Sequence, residues 1–202
     1  IQVIDYRAQR NPREKLEELA DHPDLVVWAE AEAHRELAGC DRTELHPADE
    51  MVIWTAPPGQ DELDAALGQV LPEIVYVFAR DPGMDDVIAF RDRLLGLAKD
   101  VLRNDSGQCS VQRLAVATAQ RKNTVMLGLE WLEAGGILVA QLLDEDGILF
   151  SESSPGSRSA KASKRALESL RRELRESASF RKLLLSEDEE LLHKRLIGYR
   201  KR

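Results

Sequence analysis

Cysteine is scarce. Cys40 and Cys109 are the only two in 202 residues, and they stand in unrelated contexts without CxxC or CxxH spacing. That argues against a zinc site and against a disulfide framework, and makes a reducing cytoplasm the expected setting. No apolar run exceeds a handful of residues, so no transmembrane helix is expected. The chain opens Ile1-Gln2-Val3-Ile4-Asp5 with neither an initiator Met nor a basic leader, which reads as a fragment of a longer protein without a signal peptide. The glycine-rich phosphate loops are missing too: no GxGxxG follows the first apolar run and no GxxxxGK[ST] occurs anywhere. The histidines have no Ser or Cys placed for activation. Asp5, Asp21, His22, Asp24 and Asp85-Asp86 lack a second cluster at ligand spacing. The expectation is therefore a chain without catalytic residues, metal ligands or cofactor of its own.

What is present is charge, and it is unevenly placed. The formal net charge is −8. Residues 1–100 carry 22 acidic and 10 basic side chains, whereas residues 101–202 carry 14 acidic and 18 basic. Within 157–183 nine basic side chains face three acidic ones. An acidic first half and a basic second half suggest modules with different partners.

Residues 1–83 alternate short apolar runs with helical patterns. Ile1–Tyr6, Leu25–Ala29, Met51–Thr55 and Ile74–Ala79 read as strands. Asn11-Pro12 reads as a helix start, with Asn as the N-cap and Pro at the first position. Leu63, Ala66, Leu67 and Val70 mark another helix at i, i+3, i+4, i+7. Nearly all-apolar strands separated by amphipathic helices predict a small Rossmann-like parallel sheet covered on both faces. Without a phosphate loop, the expected role is docking. Asp61, Glu62 and Asp64, at the start of a helix, are the candidate contacts for a basic protein surface, although the helix dipole alone also explains them.

Residues 84–156 predict a winged-helix module: a long amphipathic helix from Val87, helices over Val111–Ala119 and Asn123–Ala134, then strands Ile137–Leu143 and Ile148–Phe150 around the turn Asp144-Glu145-Asp146-Gly147. The candidate nucleic-acid contacts are Arg121, Lys122, Asn123 and Thr124 at the start of the third helix, with Arg113 on the second. These residues also suit plain solvation and capping, and the acidic turn would meet phosphates with like charge. Ser151–Ser159 reads as a linker. Residues 157–202 follow as a basic helical segment in which Arg158, Lys161, Lys164, Arg165, Arg171, Arg172 and Arg175 surround Leu167, Leu170 and Leu174. Its basic face fits either a nucleic-acid backbone or a solubilising surface packed on the acidic module. Ser186-Glu187-Asp188-Glu189 predicts a capping box for a last helix.

The segments Met51-Val-Ile-Trp-Thr-Ala-Pro-Pro-Gly59 and Ile74-Val-Tyr-Val-Phe78 carry a resemblance. So do Arg93-Leu-Leu-Gly-Leu-Ala-Lys99, Val111-Gln-Arg-Leu-Ala115, Leu127-Gly-Leu-Glu-Trp-Leu132 and the opening Ile4-Asp5-Tyr-Arg7. In this order the chain resembles the C-terminal region of the bacterial RecJ family, single-strand-specific 5′→3′ exonucleases of the DHH phosphoesterase class. The resemblance implies an accessory extension outside the nuclease core, without the DHH motif and with no family catalytic residue to carry over. Mn²⁺ or Mg²⁺ would then belong only to the core of the parent enzyme. The implied partners are a helicase of the HerA type or single-stranded-DNA-binding protein, with single-stranded DNA contacted weakly. The alternatives are a free-standing winged-helix DNA-binding regulator and, less well supported by the residues, a small α/β enzyme.

Overall fold

In the computed structural model, which describes residues 1–153 and 159–198, the chain divides into two units: Ile1–Pro82 together with the chain from Ser179 onward, and Gly83–Ala178. The first unit begins β1 (Gln2–Asp5), α1 (Pro12–Leu19), β2 (Leu25–Trp28), α2 (Glu32–Leu37), β3 (Glu50–Thr55), α3 (Gln60–Val70) and β4 (Ile74–Arg80). Its four strands are all parallel, in the order β1-β4-β3-β2. Alternation along each strand sends side chains to opposite faces. Val52, Trp54, Tyr76 and Phe78 meet Leu16 and Leu19 of α1 on one face. Met51, Ile53, Val75 and Val77 meet Leu63, Leu67 and Val70 of α3 on the other. With both faces covered, the central strands contain almost no polar residue, which is why they read as continuous apolar runs. Pro12 opens α1 as expected, but Asn11 makes no side-chain cap; its amide donates instead to Glu14 at 2.9 Å.

The second unit runs α4 (Val87–Asn104), β5 (Gln108–Ser110), α5 (Val111–Ala117), α6 (Lys122–Ala134), β6 (Leu138–Leu142), β7 (Gly147–Glu152) and the first part of α7 (Ala160–Ser186). The three strands form an antiparallel sheet in the order β5-β7-β6. Asp86 caps α4 by accepting from the N–H groups of Ile88 and Ala89, and Ser110 caps α5 through the N–H of Arg113. The turn between α5 and α6 is pinned by Gln120, fully buried, which donates to the Met84 carbonyl at 2.9 Å and the Asp85 carboxylate at 2.8 Å. Helix α6 lies so close to α4 that only glycine fits at 128. A Cβ there would stand 2.7 Å from the Phe90 ring and 2.8 Å from a Leu94 methyl. Leu170 and Leu174 of α7 complete this core.

From Ser179 onward α7 belongs to the first unit, followed by α8 (Glu189–Ile197). Leu184, Leu192 and Leu196 bury against the α3 face of the parallel sheet. Arg7 donates to the carbonyls of Leu184 and Glu187 at the end of α7, satisfying acceptors that a helix C-terminus leaves open. The predicted capping box is corrected here. Ser186 is the last residue of α7, and Asp188 is the N-cap of α8, accepting from the N–H of Leu191 at 2.8 Å. Residues 157–202 thus divide between the units rather than standing apart. None of the described helices is long and apolar enough to cross a membrane.

The Arg7 anchor depends on a carboxylate. Asp5 accepts from Arg7 Nε at 2.9 Å and Nη2 at 2.7 Å, and this side-chain bonding holds the Asp5 carboxyl below its ordinary 3.8. A depressed folded-state pKa contributes stability above the unfolded value that is lost as pH falls through the folded one. The first unit is therefore expected to lose stability as the pH is lowered from just above 3.8 through the depressed value. Thermal denaturation of Asp5→Asn over that window should show a shallower pH dependence than the parent chain.

Candidate nucleic-acid interface

Helix α7 turns its aliphatic side chains inward: Ala166, Leu170 and Leu174 are buried. At 3.6 residues per turn, Lys161, Lys164, Arg165, Arg171, Arg172 and Arg175 then fall within about 120° of arc on the outer side, over about 21 Å of helix axis. All six are exposed. Among the described residues, the side chains of Lys161, Lys164, Arg165, Arg171 and Arg172 enter no ion pair or hydrogen bond. Glu168 is the acidic side chain within the arc. Those five form a stripe of cations with their donors open to solvent. Arg158, the first residue of the expected basic set, lies outside the described residues.

The other candidate surface is differently arranged. Arg113 pairs with Asp105 at 2.8 Å, Arg121 with Glu176 at 3.5 Å, and Lys122 with Asp146 at 2.9 Å. Asn123 is exposed, whereas Thr124 is fully buried and is not available to a partner. Its short side chain sits on the core side of the first turn of α6, a position the Arg-Lys-Asn-Thr run does not distinguish. Asp146 is held below its ordinary range chiefly by the Lys122 hydrogen bond. Asp144 is held down by the amides of Asp146 at 2.9 Å and Gly147 at 2.5 Å. The hairpin tip thus stays anionic in neutral solution. Further along α6, Glu130 is exposed and Glu133 half-buried. This face carries neutralised cations and free carboxylates, the opposite of α7.

In the first unit, Asp61 is exposed while Glu62 and Asp64 are half-buried. Asp64 accepts from Gln60 at 2.7 Å and its charge acts on Arg195; the Glu62 charge acts on Arg42. Two of the three candidate docking carboxylates therefore serve internal networks. At the carboxyl ends of the strands, Arg181, 2% exposed, donates from Nε to the Ala56 carbonyl at 2.9 Å. Arg195 joins Glu187 at 2.7 Å and Gln60 at 2.7 Å. Open parallel sheets receive ligands in this region; here its arginines are turned to the chain's own carbonyls and carboxylates. Neither Arg7 nor Arg181 announces this in the sequence, because an isolated arginine carries no periodic signal.

Among the described residues, one cluster brings donor atoms within metal-ligand range: His34, Asp41 and Glu44, within 4.8 Å of one another. Glu44 already accepts from His34 and from the Asp41 amide at 3.0 Å each. Asp41 accepts from the Thr43 amide and hydroxyl. Burial pushes both cysteine thiols up, Cys109 to about 11, so neither is a thiolate near neutrality.

No protein-family model, curated protein or solved structure matches the chain.

Proposed function

We propose that this chain is a noncatalytic C-terminal module of a RecJ-like single-stranded-DNA exonuclease, acting in DNA repair and recombination by guiding DNA and docking a protein partner. The observation that carries the reading is the α7 stripe, in which Lys161, Lys164, Arg165, Arg171 and Arg172 face solvent while the cations at the starts of α5 and α6 are paired with Asp105, Glu176 and Asp146. A row of cations without base-reading partners suits the sugar–phosphate backbone of any sequence. In this reading the first unit is a Rossmann-like scaffold and the second a winged helix. A helicase of the HerA type or single-stranded-DNA-binding protein is the docked partner. Mn²⁺ or Mg²⁺ belongs to the nuclease core of the parent protein.

The rival reading, a free-standing winged-helix regulator, draws support from the sheet order β5-β7-β6 and the helix–strand–helix–helix–strand–strand sequence of the second unit. It needs α6 to enter a DNA groove, and there Glu130, Glu133 and the acidic hairpin tip oppose it.

The discriminating measurement is fluorescence anisotropy of a 5′-labelled single strand titrated with the chain at rising salt. Engagement of the five free cations predicts a slope of log Kobs against log[salt] of about −3.5, and hence about a hundredfold loss of affinity from 50 to 200 mM salt. The strand should stay full-length with Mg²⁺ or Mn²⁺ added. Salt-insensitive binding, no binding, or shortening of the strand would each refute the proposal.

A further inference from the structure

Among the described residues of the second unit, β6 is an edge strand, paired with β7 on one side alone. The Leu143 amide donates to the Gly147 carbonyl at 2.9 Å, which sets the ladder's phase. In an antiparallel pair the bonded and non-bonded positions alternate. Gln141 opposite Leu149 and Val139 opposite Ser151 are then the bonded pairs, and the N–H and C=O groups of Leu138, Ala140 and Leu142 point to the outer edge. Ala140 and Leu142 also line a groove of about 340 Å³ together with Asn123, Met126, Leu127, Glu130, Glu133 and Ile148. Leu142 is 53% exposed, a large apolar side chain at the mouth of the groove. Among the described residues the rim carries Glu130 and Glu133 and no lysine or arginine, and Asp144 and Glu145 follow one residue past the end of the strand.

From this we infer that the groove is a docking site for an extended segment of a partner protein, one whose alternate side chains, those on the α6 side of the sheet, are apolar and basic in turn, and which adds to β6 as a fourth strand. The backbone of Leu138, Ala140 and Leu142 supplies the main-chain bonds. Leu142, Met126 and Leu127 receive the apolar side chains, and Glu130 and Glu133 the basic ones. Strand addition draws affinity from the edge and specificity from alternate side-chain sites. The occupant is a basic peptide rather than a nucleic acid, since the rim repels phosphate. The surface shares no residue with the α7 stripe, so the inference goes beyond the nucleic-acid reading and stands or falls separately.

The test uses the full chain and the fluorescein-labelled peptide Val-Ser-Lys-Ser-Val-Ser-Lys, whose valines and lysines share one face when extended, followed by anisotropy. Saturable binding is expected, weakened at least about tenfold by Glu130→Lys combined with Glu133→Lys. Ala140→Pro, which removes an outward-facing amide without touching the β7 ladder, should weaken binding similarly. N-methylation of one alternate set of peptide amides should abolish binding, and of the other set should leave it, a readout that leaves the protein unaltered. Equal affinity for the same peptide with glutamate in place of lysine, indifference to both methylation patterns, or no binding at all would overturn the inference.

Discussion

Reversing the α7 stripe, with Lys161→Glu, Lys164→Glu, Arg165→Glu and Arg172→Glu together, is expected to lower affinity for single-stranded DNA at least about a hundredfold at 50 mM salt and to flatten the salt slope toward zero. The four side chains are exposed and lie opposite the buried Leu170 and Leu174. Glu and Lys have similar helix propensity, so the melting temperature should change little. That separates loss of binding from loss of fold. The comparison set is Arg113→Glu with Lys122→Glu at the start of α5 and α6. Those cations are already paired with Asp105 and Asp146, so reversal there should weaken binding less than about threefold. A larger loss in the second set than in the first would place the DNA on α6 and restore the regulator reading. An unchanged salt slope after stripe reversal would remove α7 from the interface altogether.

The two sets also show what the sequence discloses and what it does not. Parallel strands covered on both faces are written as apolar runs, and Val52-Ile53-Trp54 and Val75-Tyr76-Val77-Phe78 could be recognised as such. The amphipathic faces of α3, α4 and α6 follow the same logic at a period of 3.6. β5 is missed because three residues, Gln108-Cys109-Ser110, are too few for alternation to register; they become a strand by pairing with Leu149, Ile148 and Gly147. The division of the C-terminal segment between units is hidden for a different reason. Helix α7 is one continuous amphipathic pattern, and nothing local marks Ala178-Ser179 as the place where its burial partners change. At the candidate site, lysines and arginines are visible as types, but their pairing is a tertiary property. Arg113 and Arg172 look alike until Asp105 is placed beside the first. Similarly, the second stripe on α6, formed by Leu127, Glu130 and Glu133, sits beside the apolar one and is noticed only once β6 leaves its edge open.

The largest effect on stability is expected inside the first unit, at Arg42. Glu30 follows β2, and its side chain is 2% exposed while that of Arg42 is 13% exposed. Arg42 meets the carboxylate with two nitrogens, and Trp28, 1% exposed, donates its indole N–H to the same group at 2.9 Å. The backbone of Glu30 is fixed as well, its amide donating to the Thr55 hydroxyl at 2.9 Å. Burial works to lower the Arg42 pKa, and the Glu30 charge, with Glu62 and Asp41, outweighs it and holds the guanidinium raised. Removing one partner of such a pair leaves a charge without compensation in a site it cannot leave, which costs about 3–5 kcal/mol. Arg42→Ala should therefore lower the melting temperature of the first unit by more than about 10 °C, whereas the second unit keeps its own core and should retain its amide protection. The cause can be separated from simple loss of side-chain packing by combining Arg42→Ala with Glu30→Gln. Gln keeps an oxygen for the Trp28 indole but brings no charge, so the double variant should recover about half of the loss or more. Recovery is the signature of a stranded carboxylate. A double variant no more stable than Arg42→Ala would mean that the packing of the Arg42 stem, rather than its charge, sustains this corner of the fold.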